Sequence, residues 1–145
     1  MHVADNFAAL PAVARSRLDE ALRAGADPFH VRHARATIAD LQAVLDHAAA
    51  FAAEVAADEH LTAAGKLDRL TRAAAHALDE AERHLELLRG FARDGRRRVM
   101  ERGTPDALPA YAVVDDAVAL AEDYAKHSRA ALERRMADAA QERNP

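Results

Sequence analysis

Apolar residues in this chain recur at alternating spacings of three and four, the pattern of helices packed along one face, and period-two alternation is absent. Val31, Ala34, Ile38, Leu41, Leu45, Ala48, Ala52 and Val55 form one such seam without a miss. Leu67, Thr71, Ala74, Leu78, Ala81, Leu85, Leu88, Ala92, Gly95 and Val99 form a second. A third run, Val114, Val118, Ala121, Ala125, Ser128, Leu132 and Ala139, is flanked by Tyr111, Leu120, Tyr124 and Met136. Its last ten residues are nearly all polar or Ala, which predicts an end that projects, frays or meets another chain.

Punctuation between the seams places the helix ends. Gly25 suits a left-handed stop, Asp27 a cap and Pro28 a first turn, and Gly103, Thr104 and Pro105 repeat that grammar. Thr62 is a further cap, with Gly65 weakening the turn behind it. Pro11 and Pro109 belong in first turns, because inside a helix each would remove a backbone bond. Four helices are therefore predicted, over about 11–24, 28–57, 63–102 and 109–142, with residues 1–10 as a flexible arm and 11–145 as a single helical domain. Gly90 and Gly95, each costing about 1 kcal/mol against Ala inside a helix, predict a bend or break near 90–96. The expected fold class is all-α: an elongated antiparallel hairpin with coiled-coil-like seams, a fourth helix folded back on it and a short N-terminal helix closing one end.

Composition narrows the function. Half of the 145 residues are apolar, but 39 of them are Ala, leaving one thin core and little material for a deep substrate cavity. The absence of Cys removes disulfides and thiol chemistry. A net charge of −4 argues against coating nucleic acid or an anionic membrane with the whole surface. No leader pattern and no run of about 18 apolar residues is readable, so no membrane contact is expected and the chain reads as cytoplasmic.

Eight His raise the question of a metal or haem site within a bundle. His33, His47 and His127 each fall two residues past a seam position, and His76 lies opposite the Leu78–Leu85 seam, so these are expected on the outer surface. His76, Glu80 and His84 share one helix face and are the one conceivable metal clip, but solvated surface side chains are the expectation. No metal and no cofactor is predicted. Ser16, Ser128 and the four Thr lack neighbouring His–Asp arrangements and no phosphate-binding Gly-rich loop is present, so the chain is not expected to be an enzyme.

The sharpest charge feature is Arg89, Arg93, Arg96, Arg97, Arg98 and Arg102, interrupted by Asp94 and Glu101 and containing Phe91. These basic residues near a helix C-terminus complement its dipole as solvated surface. Alternatively they form a partner-binding patch, for an acidic protein surface or a nucleic-acid backbone, with Phe91 as its apolar anchor.

Residues 57–67, Ala-Asp-Glu-His-Leu-Thr-Ala-Ala-Gly-Lys-Leu, lie between two heptad helices. This segment resembles small helical proteins of the head-assembly and structural genes of tailed bacteriophages, over roughly residues 40–90. The resemblance implies a virion or assembly protein working by contacts and carries no catalytic residue. The expected function is thus a structural or assembly module that oligomerises or docks on a larger complex. The alternatives are a nucleic-acid-associated factor using the Arg cluster and a His-bearing metal-binding bundle.

Overall fold

The computed structural model describes residues 7–143, which form four α-helices and no strand. Helices α1 (Leu10–Arg23), α2 (Pro28–Ala57), α3 (Ala63–Arg102) and α4 (Leu108–Arg143) run up, down, up and down, with α1 beside α4 closing the ring. At 1.5 Å per residue α1 is about 21 Å long and α3 about 60 Å. Contrary to the expectation from sequence, the short N-terminal helix does not close an end. It lies lengthwise as a fourth corner over half of the molecule.

The caps act as their residue types dictate. Asp27 accepts from the Phe29 amide (2.9 Å) at the start of α2, and Thr62 accepts from the Gly65 amide (3.0 Å) at the start of α3. Gly25 (φ +107°) and Gly103 (φ +65°) take the left-handed conformations that end α1 and α3. The α2–α3 connection is stapled by Lys66, whose ammonium donates to the Ala56 carbonyl (3.0 Å) near the α2 C-terminus.

Two cores stack along the axis. The first joins all four helices through Leu18, Ile38, Leu41, Leu85, Leu88, Val114 and Tyr124; the second joins α2, α3 and α4 through Val55, Leu70 and Leu132 with five Ala. Every α2 seam residue is buried. On α3 the seam departs from expectation at its start, where Thr71 is exposed, Leu67 is half-buried, and Leu70 and Ala77 are buried instead. The reason is that α3 packs between α2 and α4 and needs a wider stripe than a two-helix seam.

Three further expectations are corrected. Helix α3 continues through Gly90 and Gly95, so of the expected bend or break the break does not occur. Residues 7–10 are not an arm: Phe7–Ala9 form a turn of 3-10 helix leading into α1, and the Phe7 ring stacks on His127 (5.3 Å between centroids) and contacts Tyr124 (6.0 Å). Residues 1–6 lie outside the described residues. The end of α4 does not project, since Met136 and Ala139 pack in the second core on their own chain.

Candidate functional site

The basic cluster does not form one face. Around α3 its side chains are divided among three surroundings. Arg89 bridges Glu82 (2.9 Å) and Glu86 (2.6 Å) on its own helix and Glu122 (3.5 Å) on α4, and these hydrogen bonds, that to Glu82 foremost, hold it firmly protonated. Arg96 also crosses to α4, pairing with Asp115. Arg93 and Arg97 share Asp94 at 3.8 and 3.7 Å, and Arg97 also meets Glu101 at 3.8 Å, all on α3. Arg98 and Arg102 form no ion pair among the described residues and turn toward the α1–α2 connection. Phe91 is half-buried against the first core, with His33 (5.9 Å) and His30 (6.4 Å) beside it, so it is partly spent as packing.

At that end of the bundle a cavity of about 340 Å³ is bounded by Gly25–Pro28, by the last turns of α3 and by Thr104, Ala107 and Tyr111. Its floor is a buried polar pair that the sequence pattern did not single out. His30 is only 5% exposed, and its Nδ1 lies 3.2 Å from the Tyr111 hydroxyl, which also accepts the Asp27 amide at 3.2 Å. Burial lowers the His30 pKa below its ordinary 6.5, with Arg98 acting the same way and Asp27 opposing. Tyr111 reaches this place because Gly95 leaves room for its ring: a Cβ on Gly95 would lie 1.9 Å from Tyr111 Cε1. His30 is not one of the four histidines that the seam spacing placed outward, and it is buried. It stands four residues before the seam position Ala34, and widening the stripe by one turn would have found it.

The remaining histidines are dispersed. His76 pairs with Glu80 (3.0 Å) on an exposed face, while His84 is half-buried with its Nδ1 unpartnered. Among the described residues no three His, Asp or Glu side chains converge as metal ligands.

The second surface feature is a groove of about 600 Å³ between α2 and α3, on the side away from α4. Its walls are Ala43, Val44, Ala48, Phe51, Ala73 and Ala77, and His47, His76 and Glu80 form its rim. Val44 and Phe51 are both half-buried there. Leu87 (53% exposed) and Met100 (65% exposed) add apolar area further along α3.

Comparisons with protein-family models, with curated proteins and with solved structures return no match. No helix is long and apolar enough to cross a membrane among the described residues.

Proposed function

We propose that this chain is a non-enzymatic structural or assembly module that associates with helices of other chains, a second copy of itself first, through the α2–α3 face. The observation that carries the reading is the apolar groove walled by Val44, Phe51 and four Ala. Small side chains on both helices let a further helix approach to the short end of the usual 8–10 Å interaxial range, and Phe51 supplies the large buried anchor that dominates interface energetics. Four of the six clustered arginines are already tied to carboxylates, which favours protein contacts over a phosphate backbone. The likeness of residues 57–67 to phage assembly proteins fits the same reading, in a virion or a bacterial cytoplasm.

Sedimentation equilibrium across a wide concentration range tests it. The native chain should show a reversible dimer or higher oligomer, and Phe51→Glu should abolish it while leaving helicity intact. A native chain that stays monomeric at the highest concentration, or a Phe51→Glu variant that associates as before, overturns the proposal.

A further inference from the structure

The geometry points to the cavity at the α1–α2 and α3–α4 turns as a binding site for a compact oxyanion of the phosphate class, gripped by Arg98 and Arg102 and by the Nε2 proton of His30. Three independent features of that end of the bundle support the assignment.

The first is unspent positive charge. Arg98 and Arg102 are one helical turn apart on α3, line the same cavity, and are the two members of the basic cluster without a carboxylate partner among the described residues. Guanidinium groups present planar pairs of donors that match oxyanions and retain their charge at any physiological pH. Asp27 is the one acidic residue lining the cavity, and its carboxylate is occupied with the Phe29 amide. Two fixed positive charges against one negative leave the cavity cationic even with His30 neutral.

The second is a donor on a buried side chain that no protein group uses. The Tyr111 oxygen receives the Asp27 amide, and its own proton has one acceptor in reach, His30 Nδ1. A neutral imidazole that accepts at Nδ1 carries its proton on Nε2. That nitrogen makes no hydrogen bond to the protein, although the side chain is 5% exposed and lines the cavity. That N–H is not enclosed by protein and stands in the cavity lining beside two unpaired arginines, where it can donate to an acceptor oxygen of an anion. The Thr104 hydroxyl, at the same wall, donates a long bond to the Val99 carbonyl (3.5 Å).

The third is size and rigidity. About 340 Å³ corresponds to roughly ten liquid-water volumes, room for an oxyanion with the group that carries it or with retained waters. The floor is fixed, because the Tyr111 ring occupies the space that a side chain at Gly95 would need. The inference does not depend on self-association, since the α2–α3 groove shares no lining residue with this cavity.

The test is a titration of the full chain with inorganic phosphate, followed by calorimetry and by the NMR signal of the His30 ring. Saturable one-to-one binding is expected, with the His30 titration moved upward in pH because a bound anion favours the imidazolium. Arg98→Gln combined with Arg102→Gln, both exposed and so expected to fold, should weaken binding at least tenfold, whereas Arg93→Gln should leave it unchanged. A phosphomonoester arm and a duplex-DNA arm separate the sources. Binding of phosphate or the ester that is lost in the double variant supports the site. No saturation with either probe, equal loss in Arg93→Gln, or binding of DNA alone overturns it.

Discussion

Gly90 and Gly95 are chemically identical, sit in the same helix five residues apart, and are predicted to respond to Ala in opposite directions. At Gly90 an added Cβ would meet only the Arg93 guanidinium, at 3.7 Å, so Gly90→Ala should raise stability by about 1 kcal/mol through helix propensity. At Gly95 the same methyl would overlap the Tyr111 ring, and the neighbours are helix and buried core. Gly95→Ala should cost about 3 kcal/mol, at the upper end of overpacking penalties, and release Tyr111 from His30. Chemical denaturation of both variants checks the pair, and equal shifts in one direction would refute the packing argument. His30 gives a second expectation at this scale. Its folded pKa lies below 6.5 because burial disfavours the charged form, so as pH falls the unfolded chain takes up this proton first. Its contribution to stability is complete above about pH 6.5, declines as pH drops through the interval down to the folded value, and then levels off. His30→Gln should flatten that part of the stability–pH curve, measured by denaturation at several pH values.

At the scale of elements, the two tyrosines of the chain do parallel work. Both reside on α4 and both reach α2, its diagonal neighbour in the bundle: Tyr111 to His30 and the Asp27 amide, Tyr124 to Asp46. Burial and the Asp46 contact raise the Tyr124 pKa well above its usual value, which keeps the phenol a donor. Helices packed only by Ala and Leu ridges can slide along one another at low cost, whereas two directional bonds well separated along the axis fix the α2–α4 register. Tyr111→Phe removes one hydroxyl but strands the buried His30 nitrogen and the part-buried Asp27 amide and should cost about 1–3 kcal/mol; Tyr124→Phe leaves an exposed carboxylate facing water and should cost less, about 1 kcal/mol. Thermal melts of the two variants measure the difference, and the reverse order would remove the buried pair as the stronger tie. Tyr111 and Tyr124 were legible from sequence only as flanking aromatics of the third seam. A hydrogen bond between residues 81 apart leaves no trace in a local pattern.

Across the whole molecule, stability should be uneven from end to end. The first core is enclosed by four helices and contains the fully buried Leu18, Ile38, Leu41, Leu45 and Leu88. The second is enclosed by three helices, and five of its eight buried residues are Ala, which bury little area each. Native-state hydrogen exchange should therefore be faster in 48–56, 66–77 and 130–142 than in 34–45, 81–92 and 111–124. Uniform protection along α3 would count against two separable cores. The sequence by itself determined the all-α class, the ends of α2 and α3, and the inward face of α2, because these depend on caps, stops and apolar spacing that act within a few residues. It read α1 as an end closure and the start of α3 one stripe narrow, because which neighbours a helix touches depends on how four helices share their sides. Tertiary structure alone decided that six clustered arginines divide into paired and unpaired sets, that a glycine expected to weaken a helix makes room for a tyrosine ring, and that His30, which the seam spacing did not place, is buried. Each of those outcomes depends on a group from another helix brought near by folding.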